Sequence, residues 1–309
     1  MAETELPILS FHEWSYLRAE LVWIYDHPVP EDVRHVTWDR TEGHWAWYVR
    51  RGQVKITSAS GTYTAGPGMW LMLPREAARQ DFSHDISILS VYFLCQWPSG
   101  ENLFATKAGL VVKGADHPEL ERAAIKMERL VRRHLPRADI RLATQLGHYP
   151  LFLRLQGLFL NWLQLWFQVR VTHGASLTRL HSGDDRAMRA VRCLNEAPVD
   201  RGFPHDWLAS ETGGLSLTHL DRIFVGEFGL TTRKYWERRR LEAAKIYLET
   251  SSTLSVKEIA HRTGFRSDAH FVMWFKRLVG QSPLHYRRKP RDPSHPKRFF
   301  DYGDARQST

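Results

Sequence analysis

Apolar residues follow two regimes along the chain. Up to about residue 110 they come in short runs or alternate with polar neighbours, and beyond about 116 they recur at helical spacing. Leu21 to Tyr25 is a short apolar strand. From His44 to Arg50 the pattern alternates, with Trp45, Trp47 and Val49 on one face and His44, Ala46 and Tyr48 on the other. Val54 and Ile56 continue it, Gly66-Pro67-Gly68 marks a turn, and Met69 to Leu73 and Ile86 to Leu94 predict two more strands. Several short strands separated by turn signals predict a sandwich or small barrel.

Two helices follow, at 116–137 and 144–170. The run from Leu151 to Val171 is long enough to cross a bilayer, but Arg154, Gln156, Asn161, Gln164, Gln168 and Arg170 make that costly. Arg154, Gly157, Asn161, Gln164 and Gln168 step by three and four and share one stripe. Phe152, Leu155, Phe159, Trp162, Leu163 and Trp166 leave the rest of the surface broadly apolar, more than one domain face covers. The pattern predicts an antiparallel helix pair with a second copy of the chain; the alternative is a helix buried entirely within its own domain.

In the last third, one local grammar occurs twice: helix, glycine turn, helix. Ser255 and Glu258 have capping-box spacing, Gly264 ends a short helix, Ser267 starts another carrying Phe271 and Phe275, and Gly280 stops it before Ser282-Pro283. Earlier, Ala209, Gly214, Ser216, Leu220, Phe224 and Gly229 fall at nearly the same offsets. Thr231 to Thr250 between them is a strong helix former. These marks, A-x4-G-x-S-x3-L-x-R-x-F from Ala209, R-x-x-x-A at Arg240 to Ala244, and I-A-x3-G-F-x-S-x3-F-x3-F-K-x3-G-x-S-P from Ile259, resemble the DNA-binding domain of the AraC/XylS family of bacterial transcription regulators. The resemblance covers Asp184 to Arg288. It implies two helix-turn-helix units joined by one long helix, double-stranded DNA as partner, a homodimer, and RNA polymerase as a further partner. Tyr63 to Pro74, with Gly66, Gly68, Leu71 and Pro74, is similar to a glycine-, leucine- and proline-marked stretch of the cupin-like sensor domains that such regulators often carry.

The resulting expectation is an α+β multidomain chain. A cupin-like β-barrel sensor occupies 1–115, a helical dimerisation segment 116–171 and a linker 172–183. An all-α DNA-binding domain with two helix-turn-helix units occupies 184–290, and a disordered tail 291–309. In the first unit Leu220, Ile223 and Phe224 face the core, leaving Thr218, Asp221 and Arg222 for bases; in the second, Arg266, His270 and Met273 face outward. Methionine departs from the arginine frequent in the family at that position. Lys276, Arg277, Arg287 and Arg288 are the expected phosphate contacts.

Metal-dependent cupin enzymes carry an H-x-H pair; here His44 is followed two residues on by Ala46. No metal, cofactor or catalytic residue is therefore assigned. His44, Trp45, Trp47, Trp70 and His84 are the candidate lining of an effector pocket, where aromatic rings stack on a sugar or another flat small molecule.

Charge strengthens the division. Residues 184–309 hold 23 Lys and Arg against 16 Asp and Glu, while residues 1–183 hold 20 against 18, so most of the net +9 lies where phosphates would be met. Cys95 and Cys193 have no partner spacing, and the first residues lack the basic and apolar blocks of a secretory signal, which fits a cytoplasmic protein. The reading is a sequence-specific, ligand-responsive transcription regulator, an activator or repressor and not an enzyme. The alternatives are a metal-dependent cupin enzyme fused to a DNA-binding domain and a ligand-independent DNA-binding protein.

Overall fold

The computed structural model describes residues 11–38, 43–98, 100–135, 142, 145, 147–178, 184–251 and 253–288. Contacts divide the chain into two units, one within residues 1–179 and one within 180–290.

The first unit opens with a short helix, α1 (Phe11–Trp14). Its strands are β1 (Arg18–Pro28), β2 (His35–Trp38), β3 (His44–Arg51), β4 (Val54–Ser58), β5 (Gly61–Ala65), β6 (Met69–Met72), β7 (Ala78–Phe82), β8 (Ser87–Gln96) and β9 (Leu110–Lys113). They form two antiparallel sheets, of order β1-β8-β3-β6-β9 and β2-β7-β4-β5. The alternation in β3 decides what each face of the larger sheet carries. Trp45, Trp47 and Val49 join Trp23, Tyr92, Val54, Ile56 and Phe82 in one core drawn from both sheets. The rings pack at angles, with Trp23 to Trp45 at 4.8 Å and 82°, and Trp45 stacked on Tyr92 at 4.3 Å.

Register sets the opposite face. Opposite His44 lies Phe93, and opposite Tyr48 lies Trp70. Two helices, α2 (Pro118–His134) and α3 (Tyr149–Thr172), pack on each other and on this unit. Phe93 meets Phe159, Trp162 and Trp166 of α3 at 6.0, 5.3 and 4.9 Å. Helix α3 begins at Tyr149, later than the 144 that periodicity predicts, because His148 caps it by accepting from the Leu151 N–H at 3.2 Å and Pro150 lies in its first turn.

The burial of α3 differs from the sequence expectation. Phe159, Trp162 and Trp166 are closed off inside their own unit, and the exposed apolar residues are Tyr149, Phe152, Leu153 and Leu160. The second apolar face of the helix covers a sheet. The expected linker at 172–183 is also partly structured. Ala105 N–H donates to Ser176 O at 2.9 Å and Thr178 N–H to Leu103 O at 2.8 Å, so this stretch pairs with the first unit; residues 179–183, like the expected tail at 291–309, lie outside the described residues.

The second unit consists of α4 (Asp185–Glu196), α5 (His205–Glu211), α6 (Leu217–Phe228), α7 (Thr232–Thr250), α8 (Val256–Arg262), α9 (Asp268–Val279) and α10 (Pro283–Arg288). Each long helix starts on a side-chain cap: Asp184 for α4, Ser216 for α6, Thr231 for α7 and Ser267 for α9. The Ser255–Glu258 capping box is present at α8, and Gly229 and Gly280 end α6 and α9 in left-handed conformation. Phe271 and Phe275 meet Ala244, Leu248, Ile259 and Ala260 in a core around α7. Gly264, at φ +77°, has a second constraint, because a Cβ there would come within 2.8 Å of the Val199 carbonyl.

Candidate nucleic-acid interface

Two helix pairs, α5–α6 and α8–α9, present their second helices to solvent on the side opposite their buried phenylalanines. On α6, Leu220 and Phe224 are buried while Thr218, His219 and Arg222 are exposed. Arg222 makes no ion pair or hydrogen bond among the described residues and extends into solvent. On α9, Phe271 and Phe275 are buried, and His270, Met273 and Lys276 are exposed, with Arg266 exposed in the preceding turn. Met273 is 68% exposed, a large apolar cost that a thymine methyl would relieve.

Two residues predicted for this surface bond within the unit, and a third is half-buried. Asp221 is only partly exposed and accepts from the Thr232 backbone N–H at 2.9 Å and from its hydroxyl at 2.6 Å. It therefore fastens the first turn of α7 to α6, where the N-terminal dipole favours its charge. That engagement occupies Asp221 Oδ1 within the unit. Arg277 donates to Glu237 Oε1 at 3.1 Å, beside the Trp274 indole N–H on the same oxygen at 2.9 Å, so it braces α9 against α7. Arg287 is half-buried, with its Nε and one Nη enclosed and without hydrogen-bond partners among the described residues. The side chain of Arg288 lies outside the described residues.

Arginines of the central helix serve structure. Arg240 donates to Thr263 O at 2.7 Å and lies 4.1 Å over the Phe265 ring, and Arg239 donates to Ala197 O at 3.1 Å. Arg233 and Lys234, in the first turn of α7 next to the Asp221 anchor, are exposed; sequence reading assigned them no role. Their position beside α6 follows only from the tertiary contact.

In the first unit the five candidate pocket residues do not converge. Trp45 and Trp47 lie in the core between the sheets, and Trp70 is buried on the other face, 6.4 Å from Trp162. His44 is buried against Phe93 and Trp166, and burial together with Arg75 and Arg170 holds its pKa well below 6.5, so it is neutral. His84 is exposed in the turn between β7 and β8. Instead, a cavity of about 510 Å³ opens between β1 and the first half of α3, walled by Leu21, Leu151, Phe152, Leu155 and Gln156, with Arg18 and Glu20 paired at its edge. Nothing in the sequence pattern pointed there, since its walls come from segments more than a hundred residues apart.

Residues 209–289 match a helix-turn-helix domain family. The chain is 39% identical over 103 residues to the transcriptional regulator GlxA of Rhizobium meliloti (33% of this chain, 31% of that protein). It is 41% identical over 114 residues to the transcriptional activator NphR of a Rhodococcus (37% and 33%). Over 89 residues it is 37% identical to PqrA of Proteus vulgaris, described as a probable transcription factor, covering 28% of this chain and 70% of that one. The chain belongs to the AraC/XylS family of transcription regulators. It spans about a third of the length of GlxA and NphR.

Proposed function

We propose that the chain is a dimeric, ligand-responsive transcription regulator that binds double-stranded DNA through two helix-turn-helix units. The observation that carries this is the pair of capped helices, α6 and α9, each with buried phenylalanines on one side and exposed basic or polar side chains on the other. They are joined by α7, whose 19 residues span about 28 Å, close to the ~34 Å between successive major grooves. In this reading Arg222, Thr218, Arg266, His270 and Met273 meet base edges. Lys276, Arg233 and Lys234 meet phosphates, which position the chain without reading sequence.

The two-sheet unit serves as a cupin-like sensor. The cavity between β1 and α3 supports that role: it is apolar, of small-molecule size, and shares Phe152 with the exposed face of α3. That face, Tyr149, Leu153 and Leu160, is the proposed dimer contact. The chain works in the cytoplasm and recruits RNA polymerase; no described helix is long and apolar enough to cross a membrane. An enzyme reading is disfavoured by a His44 wedged between aromatic rings with Ala46 where a second metal ligand would stand.

Selection of bound sequences from random duplex DNA tests the proposal. Enrichment of a two-part motif about one helical turn apart is expected, with a slope of log affinity against log salt on the order of −4. A salt-insensitive interaction with no enriched motif would overturn it.

A further inference from the structure

Outside the surfaces already assigned, basic side chains crowd the groove where α2 meets α3. Lys126, Arg129, Arg133 and His134 of α2 and Arg154 of α3 surround one groove of about 270 Å³, floored by Leu130 and Leu158. Among the described residues no acidic side chain lines it. Lys126, Arg129 and Arg133 stand at i, i+3 and i+7, so they share one face of α2. Like charges at such spacing repel one another. All five basic side chains are exposed and make no ion pair among the described residues. Glu128, which feels the charge of Arg129, is buried and forms its ion pair with Arg132. The overall balance of the first unit is close to neutral, so this crowding is local rather than a by-product of composition.

We propose that the α2–α3 groove is a binding site for a small organic phosphate. Four permanent cations around so small a space call for a ligand with at least two negative charges, which a phosphomonoester supplies and a single carboxylate does not. Leu130 and Leu158 then take the apolar body, a task a free inorganic ion leaves undone. The groove touches the same stretch of α3, residues 151–158, that walls the larger cavity, so an anion here acts on the helix that forms part of that cavity's wall. The role in sensing rests on the regulator reading; the binding itself does not.

Phenyl phosphate and inorganic phosphate are the probes, titrated calorimetrically into the full chain in low salt. Phenyl phosphate is expected to bind at least fivefold more tightly than inorganic phosphate. Arg133→Gln with Arg154→Gln is expected to weaken it at least tenfold while the melting temperature without ligand stays level or rises. A control, Arg222→Gln with Lys276→Gln, removes basic groups from the other unit. Loss of binding in the control with retention in the groove variant would place the anion on the DNA-binding surface and overturn the proposal. So would affinity unchanged within twofold in the groove variant, or a lowered melting temperature that marks the two arginines as structural. Binding at the groove without effect on DNA affinity would uphold the site and count only against its role in sensing.

Discussion

Asp221 of α6 accepts two hydrogen bonds from Thr232 of α7, one from the backbone N–H at 2.9 Å and one from the side-chain hydroxyl at 2.6 Å. Thr232 is fully buried, so this contact fixes the angle at which the candidate recognition helix leaves the central helix. Removing it should loosen the geometry of the whole half-domain. Asp221→Ala is expected to destabilise the second unit by about 1–2 kcal/mol, as loss of a helix cap does. DNA affinity should fall alike for specific and scrambled sites. Urea unfolding followed by tryptophan fluorescence, paired with anisotropy on both DNAs, checks it; loss confined to the specific site would restore Asp221 to base reading.

The two turn glycines of the second helix pair should differ. Gly280 is left-handed, and a methyl group added there would have nothing within 4 Å, whereas the same group at Gly264 meets the carbonyls of Val199 and Arg201 at 2.8 and 3.0 Å. Gly280→Ala is expected to cost about 1–2 kcal/mol, the penalty of a left-handed non-glycine residue. Gly264→Ala adds a backbone clash and should cost more. Thermal unfolding of the two variants side by side decides it, and equal losses would contradict the packing of the turn on residues 199–201.

Dimerisation can be separated from folding on α3. Leu153→Glu with Leu160→Glu changes residues that are 50% and 48% exposed and should give a folded monomer in sedimentation. Trp162→Glu instead buries a carboxylate among Trp70, Phe93 and Trp166 and should unfold the first unit. A dimer of undiminished strength in the double variant would remove α3 from the interface.

Acid should act on the first unit through His44. Its folded-state pKa lies well below its ordinary 6.5, so the unfolded chain binds the proton more readily. The contribution is complete above about pH 6.5 and is lost as pH falls toward the folded-state value. His44→Phe is neutral throughout and should flatten that part of the stability profile. A profile identical to wild type between about pH 6.5 and 4.5 would mean that His44 protonates in place.

Local signals made much of this fold legible. Capping residues, turn glycines and the helical spacing of Phe271 and Phe275 located the helix pairs, because each acts within a few residues of chain. Alternation in β3 separated Trp45 and Trp47 from His44 for the same reason. What could not be read depends on contacts distant in sequence. Asp221 has the spacing of an outward residue, and only its approach to Thr232 across the Gly229 turn shows its capping role. Two apolar faces blur the periodicity of α3, so the sequence alone did not tell the sheet-facing Trp162 from the solvent-facing Leu153. The bond from Arg277 to Glu237 is likewise invisible in the spacing of α9.

The most direct measurement is the affinity of wild type and Arg222→Ala for the selected DNA site and for a scrambled one at the same salt. Arg222 is exposed, unpaired among the described residues and central on α6. A loss of about 1–3 kcal/mol is expected on the selected site and much less on the scrambled one. Equal weakening on both would make Arg222 a phosphate or structural residue and contradict the placement of the recognition face.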